Sequence, residues 1–124
     1  MAFLIPAETD ILAGIELGGV PLATALSLET DLPARFIRKQ AKTYGTCHAV
    51  EGGDVNGKKC LIVEDVISTG GAVTDAAFLL REEGAVVSGV LCAVWRGDGR
   101  PTIASLPDIP VFALFSSVDL PAPG

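Results

Sequence analysis

Leu61-Ile62-Val63-Glu64-Asp65-Val66-Ile67-Ser68-Thr69-Gly70-Gly71-Ala72 is the stretch whose reading decides the fold. Its apolar opening predicts a strand buried on both faces. Two adjacent carboxylates, Glu64 and Asp65, close the run, and Ser68-Thr69-Gly70-Gly71 follows. Beyond it Val73, Ala76, Ala77 and Leu80 recur at helical spacing, with Gly84 where a helix stops. A strand therefore delivers two acids and a loop of small residues to a helix N-terminus. Such a loop can turn its backbone N–H groups toward a phosphate, with the helix dipole favouring the negative charge. The acids beside it are candidates for ribose hydroxyls or a divalent ion. Gly70 is expected where a side chain would fill the phosphate position.

Outward from this motif, the flanking segments alternate between strand and helix. Toward the N-terminus, Ile11-Leu12-Ala13-Gly14-Ile15 predicts a first buried strand, and Glu16-Leu17-Gly18-Gly19-Val20-Pro21 leads into a helix reaching about Glu29. Gly18-Gly19 suits a tight turn as well as a ligand contact. Ala34 to Arg38 predicts a second strand. The segment 39–58 lacks a period and begins with Lys39 and Lys42, so it is expected to be a mobile binding loop. Toward the C-terminus, Ala85 to Trp95 and Pro110 to Phe115 predict two more strands, with a short helical turn near Thr102 to Leu106. The expected fold class is α/β: one domain over residues 1–124, a doubly wound, five-stranded parallel sheet in the order 2-1-3-4-5. That order sets the Gly18-Gly19 loop and the Glu64 to Gly71 loop on either side of one crevice at the switch point.

Composition narrows the function. The chain has 124 residues, 49% of them hydrophobic, and a net charge of −6. An acidic surface disfavours nucleic acid and anionic membranes as general partners. The basic residues cluster locally at Arg35, Arg38, Lys39 and Lys42. Three cysteines without close spacing and a single histidine argue against a disulfide framework or a zinc site. The apolar start breaks at Pro6 and has no basic leader, so a cytoplasmic protein is expected.

Three segments together, Gly14 to Ala23, Arg38 to Gly45 and the central motif, resemble the type I phosphoribosyltransferases, and among them the orotate phosphoribosyltransferases. The resemblance covers roughly residues 11 to 119. It implies transfer of the phosphoribosyl group of phosphoribosyl pyrophosphate (PRPP) to orotate, giving orotidine 5′-phosphate and pyrophosphate. It also implies a homodimer and Mg2+ held mainly by PRPP and water, without direct protein ligands. Glu16, Leu17, Gly18 and Gly19 would form the pyrophosphate loop, and Glu64 and Asp65 would bind the ribose. Val66, Ile67, Ser68, Thr69, Gly70, Gly71 and Ala72 would wrap the 5′-phosphate. Lys42 would be the catalytic lysine of the mobile loop, acting with Asp65, while Arg38 and Lys39 would flank the pyrophosphate. Arg96 falls where the family places an arginine near the pyrimidine.

The family usually starts several dozen residues earlier, with a first helix and a hood over the base. Trp95 also stands where an aspartate is common. The expectation is a retained PRPP site with reduced activity toward the base. Two alternatives remain open: a non-catalytic PRPP- or nucleotide-binding module, and transfer to another base.

Overall fold

The computed structural model describes residues 1–38, 49–116 and 119. Its core is a six-stranded sheet in the order β3-β2-β1-β4-β5-β6. The strands are β1 (Ile11–Ile15), β2 (Ala34–Ile37), β3 (Val50–Glu51), β4 (Lys59–Ile67), β5 (Val86–Trp95) and β6 (Val111–Ser116). All neighbours pair parallel except β2 and β3. The five parallel strands carry the order expected from sequence. The sixth, β3, is an addition: where the sequence predicts one loop over 39–58, Val50–Glu51 forms an antiparallel edge strand, and Val55 beyond it is buried in the core.

Two helices, α1 (Gly19–Thr30) and α2 (Gly71–Glu82), cover opposite faces of the sheet. Side chains alternate across a strand, so each buried strand must feed two cores. On β1 and β4, Ile11, Ala13, Ile15, Cys60 and Ile62 pack with Val73, Ala76, Ala77 and Leu80 of α2. Leu12, Leu61 and Val63 instead pack with Ala23 and Leu26 of α1. Residues of the turn of 3-10 helix at Ala2–Leu4 join that second cluster. This is why the strand sequences read as unbroken apolar runs.

The helices stop for local reasons. At the end of α1, Asp31 adopts φ 64° and its N–H donates to Ser27 O at 2.9 Å. After α2, Gly84 takes φ 84°, as its position in the sequence suggests, and Ala85 N–H donates to Leu80 O at 3.0 Å. The turn near Thr102 to Leu106 is closed by Leu106 N–H donating to Ile103 O at 2.9 Å, and both residues are buried. No helix among the described residues is long and apolar enough to cross a membrane.

Candidate functional site

β1 and β4 are neighbours, so the loops leaving their C-terminal ends meet. The contact is close because glycines permit it. A Cβ on Gly18 would lie 2.1 Å from Asp65 Oδ2, and one on Gly19 would lie 2.3 Å from Val63 O. A Cβ on Gly14 would sit 2.7 Å from Gly19 O. Gly18-Gly19 is therefore more than a turn: the loop lies against the end of β4. Glu16 N–H donates to Ile37 O at 2.9 Å, which ties the start of the loop to the end of β2. The Glu16–Leu17 peptide bond is cis. Leu17 is exposed, Glu16 and Gly18 half-buried and Gly19 buried.

The acids do not end the strand, contrary to the sequence reading, because β4 continues through them to Ile67. Alternation then divides them. Glu64 follows Cys60 and Ile62 onto the α2 face and is buried, at 9% exposure. Asp65 follows Leu61 and Val63 onto the α1 face, where it is exposed and meets Gly18. Two carboxylates on opposite faces do not form a cage for one cation. Among the described residues no group of three or more metal-ligating side chains occurs. The donor set fits an Mg2+ that takes at most one carboxylate and is otherwise held by substrate oxygens and water.

Backbone bonds fix both acids: Asp65 N–H donates to Glu64 Oε1 at 3.1 Å, and Val66 N–H to Asp65 Oδ1 at 2.8 Å. Cys92 stands opposite Glu64 on β5. Burial, with the Glu64 charge adding to it, pushes its thiol up from 9.0 to about 11. A thiol held neutral in this way is not a nucleophile at neutral pH.

Glu64 and residues 66–73 line a crevice of about 90 Å³ at the start of α2. Gly70 caps the helix at φ 87°. A Cβ there would meet Ile103 carbons at 3.1 Å, so the position also serves the turn and its packing. At Gly71 a Cβ would have only Thr69 Oγ1, 3.9 Å away. Thr74 Oγ1 donates to Gly70 O at 2.9 Å and lies 2.6 Å from Ser105 Oγ, anchoring the first turn of α2. A second crevice, of about 230 Å³, lies between Ile15, Ile37 and Arg38 at the ends of β1 and β2 and the α2 residues Ala72, Asp75, Ala76 and Leu79.

Arg96 is exposed just past β5, and its N–H donates to Ile67 O at 2.8 Å, which places it beside the end of β4. Trp95 is buried, its indole N–H donates to Gly99 O at 3.2 Å, and Gly97 packs on its ring. It braces the turn that carries Arg96. Lys39 and Lys42 lie outside the described residues.

A model of the phosphoribosyl transferase domain matches residues 3–116. The chain belongs to the phosphoribosyltransferase family. It is similar to the orotate phosphoribosyltransferase of Nocardioides sp., 54% identical over 96 residues, covering 77% of this chain and 54% of that protein. That of Pyrococcus horikoshii is 52% identical over 90 residues, covering 73% and 48%. The chain thus spans about half the length of these curated relatives. Among solved structures, Aeropyrum pernix orotate phosphoribosyltransferase superposes with a TM-score of 0.78 at 28% identity, over 90% of this chain and 63% of that one. The Mycobacterium tuberculosis H37Rv enzyme in complex with PRPP gives 0.76 at 28% identity, over 93% and 67%.

Two features of this phosphoribosyltransferase chain escaped the sequence reading. Glu51 pairs with Arg38, and Ile103 backs Gly70. Only the Gly52-Gly53 turn after Val50-Glu51 hinted at the first.

Proposed function

We propose that the chain binds PRPP with Mg2+ and transfers its phosphoribosyl group to orotate, releasing pyrophosphate, as part of a homodimer. One observation carries this reading: the Glu16–Gly19 loop and the Ser68–Gly71 loop converge on the end of β4 from opposite faces, with Asp65 against one and Glu64 lining the other.

PRPP has the matching layout, with a phosphate at one end, a pyrophosphate at the other and a ribose between. The 5′-phosphate lies on residues 66–72, where the N–H groups opening α2 and its dipole favour an anion. The pyrophosphate lies on residues 16–19, flanked by Arg38, Lys39 and Lys42. The ribose lies over β4, its hydroxyls donating to Asp65 on one side and Glu64 on the other. Bond breaking between C1 and the pyrophosphate oxygen puts positive charge on the ring and negative charge on the leaving group, while the base nitrogen forms the new bond to C1. Arg38, Lys39 and Lys42 stabilise the departing oxygens, and no protein nucleophile is required. Bound Mg2+ supplies further neutralisation of the pyrophosphate. Arg96, beside the phosphate loop, faces the carboxylate of the base.

Calorimetry with PRPP and Mg2+, together with an ultraviolet assay of orotate loss, tests this directly. Binding of PRPP with orotate consumption and stoichiometric pyrophosphate release is expected. Absence of PRPP binding sinks the reading. Binding without consumption of orotate removes the orotate transferase and leaves a PRPP module or a transferase for another base.

A further inference from the structure

β3 returns antiparallel along β2, with Phe36 opposite Glu51 and Ile37 opposite Val50. Arg38 N–H donates to Ala49 O at 2.8 Å, so the ribbon is closed at the base of the 39–48 segment. A residue two positions past Phe36 is a diagonal neighbour of Glu51 on the same face. That residue is Arg38, and the side chains meet: Nε donates to Glu51 Oε1 and Nη2 pairs with the same oxygen. The pair is partly sheltered, at 26% and 37% exposure. Behind Glu51 the chain turns through Gly52 and Gly53, at φ 108° and 145°, onto Ala34 and Arg35. A side chain at 53 would lie 2.9 Å from the Arg35 guanidinium. The Glu51 backbone is thus held by the strand pairing on one side and by a packed glycine turn on the other.

Arg38 is in turn joined to the loop of β1. The carbonyl that accepts from Glu16 N–H belongs to Ile37, the residue immediately before Arg38. Arg38 therefore follows directly on the residue that anchors the start of the Glu16–Gly19 loop.

We propose that Glu51 is a positioning residue of the anion site, holding Arg38 beside the Glu16–Gly19 loop before ligand arrives. The inference rests on the PRPP reading above. A long arginine side chain loses rotamer freedom when it grips a ligand, which weakens binding. The Glu51 carboxylate imposes that order during folding. Its own charge opposes a nearby anion, so two effects compete and predict opposite outcomes when it is replaced. Positioning makes replacement harmful. Simple charge repulsion makes it beneficial, and most beneficial for a cation.

Calorimetry with PRPP and Mg2+, with pyrophosphate and with ribose 5-phosphate separates these. Glu51→Ala is expected to weaken PRPP and pyrophosphate on the order of tenfold, the scale of one charge-assisted contact, and to leave ribose 5-phosphate unchanged. Glu51→Gln, which keeps an acceptor for Arg38, recovers most of that loss. Glu51→Lys weakens PRPP despite its added positive charge, and serves where the alanine variant does not fold. In an Arg38→Ala background, Glu51→Ala adds no further loss. Wild-type or tighter PRPP binding by the Glu51 variants, with Arg38→Ala impaired, overturns the role of Glu51 and leaves the PRPP reading standing. Equal weakening of all three ligands reduces Glu51 to a structural part and also overturns it. Unimpaired binding by Arg38→Ala, or no PRPP binding by the wild-type chain, overturns the placement of Arg38 and the inference with it.

Discussion

Adjacent glycines at 18 and 19 have different neighbours, and that difference separates binding from folding. The atom in the way of a Cβ at 18 is the Asp65 carboxylate, a side-chain group that can move by giving up its bond from Val66 N–H. The atom in the way at 19 is the Val63 carbonyl, which is backbone in the middle of the sheet. Gly18→Ala is therefore expected to fold with a loss under about 1 kcal/mol. It should nonetheless bind PRPP poorly, because Asp65 is displaced from the site. Gly19→Ala should lose about 1–3 kcal/mol, the usual penalty for overpacking. Denaturant melts and PRPP titrations of the two variants check the contrast. Equal stability losses, or unimpaired binding by Gly18→Ala, would show that the Asp65 contact has no bearing on ligand. The sequence showed that glycines stood here, because a parallel strand followed by Gly-Gly invites a close approach. It could not show which atom each one avoids, since Val63 and Asp65 come near only through the pairing of β1 with β4. Gly70 makes the same point: the type of residue was legible, but the Ile103 side chain behind it stands 33 positions away.

Among the elements, β1 and β5 match the expected bounds to within a residue because their apolar runs are unbroken and sharply bounded. β4 runs on past its pair of acids, which look like an end when the two faces are not yet known. β3 went unseen because two residues carry no period, and its place depends wholly on pairing with β2. The central strands also hold two buried thiols. Burial pushes Cys60 up from 9.0 to about 11, with Arg35 opposing and Asp10 adding, and Cys92 reaches about 11 as well. A pKa raised by folding means that the native state keeps its proton more tightly than the unfolded chain. The associated stability is fully present below pH 9 and is lost as pH climbs toward 11. The urea midpoint should fall across that window, and a Cys60→Ala, Cys92→Ala double variant should show a shallower fall. Matching slopes in the two proteins would assign the alkaline loss to other groups. Native Cys60 and Cys92 should also resist iodoacetamide at neutral pH and react once unfolded, as read by peptide mass mapping.

For the molecule as a whole, the site is a seam. α1 and its loop rest on one face of the sheet, α2 and its loop on the other, and the end of β4 is the ground they share. A ligand that touches both loops therefore joins the two cores, and anything that binds only the folded state stabilises it by mass action. At a concentration about 100-fold above Kd the gain is about 2.7 kcal/mol. For a domain of this size that is a rise in Tm on the order of 10 °C. PRPP with Mg2+ should give the full shift, whereas ribose 5-phosphate and pyrophosphate, each reaching one loop, should give smaller shifts alone. Asp65 and Glu64 lie on opposite faces and cannot cage an ion between them, so on the proposed reading Mg2+ would enter with the pyrophosphate oxygens. It follows that Mg2+ alone should leave Tm unchanged, and that EDTA should remove most of the PRPP shift. A substantial shift by Mg2+ alone would reveal a protein-held metal that the separated acids do not suggest. A PRPP shift indifferent to EDTA would mean that the basic side chains of the site carry the pyrophosphate unaided.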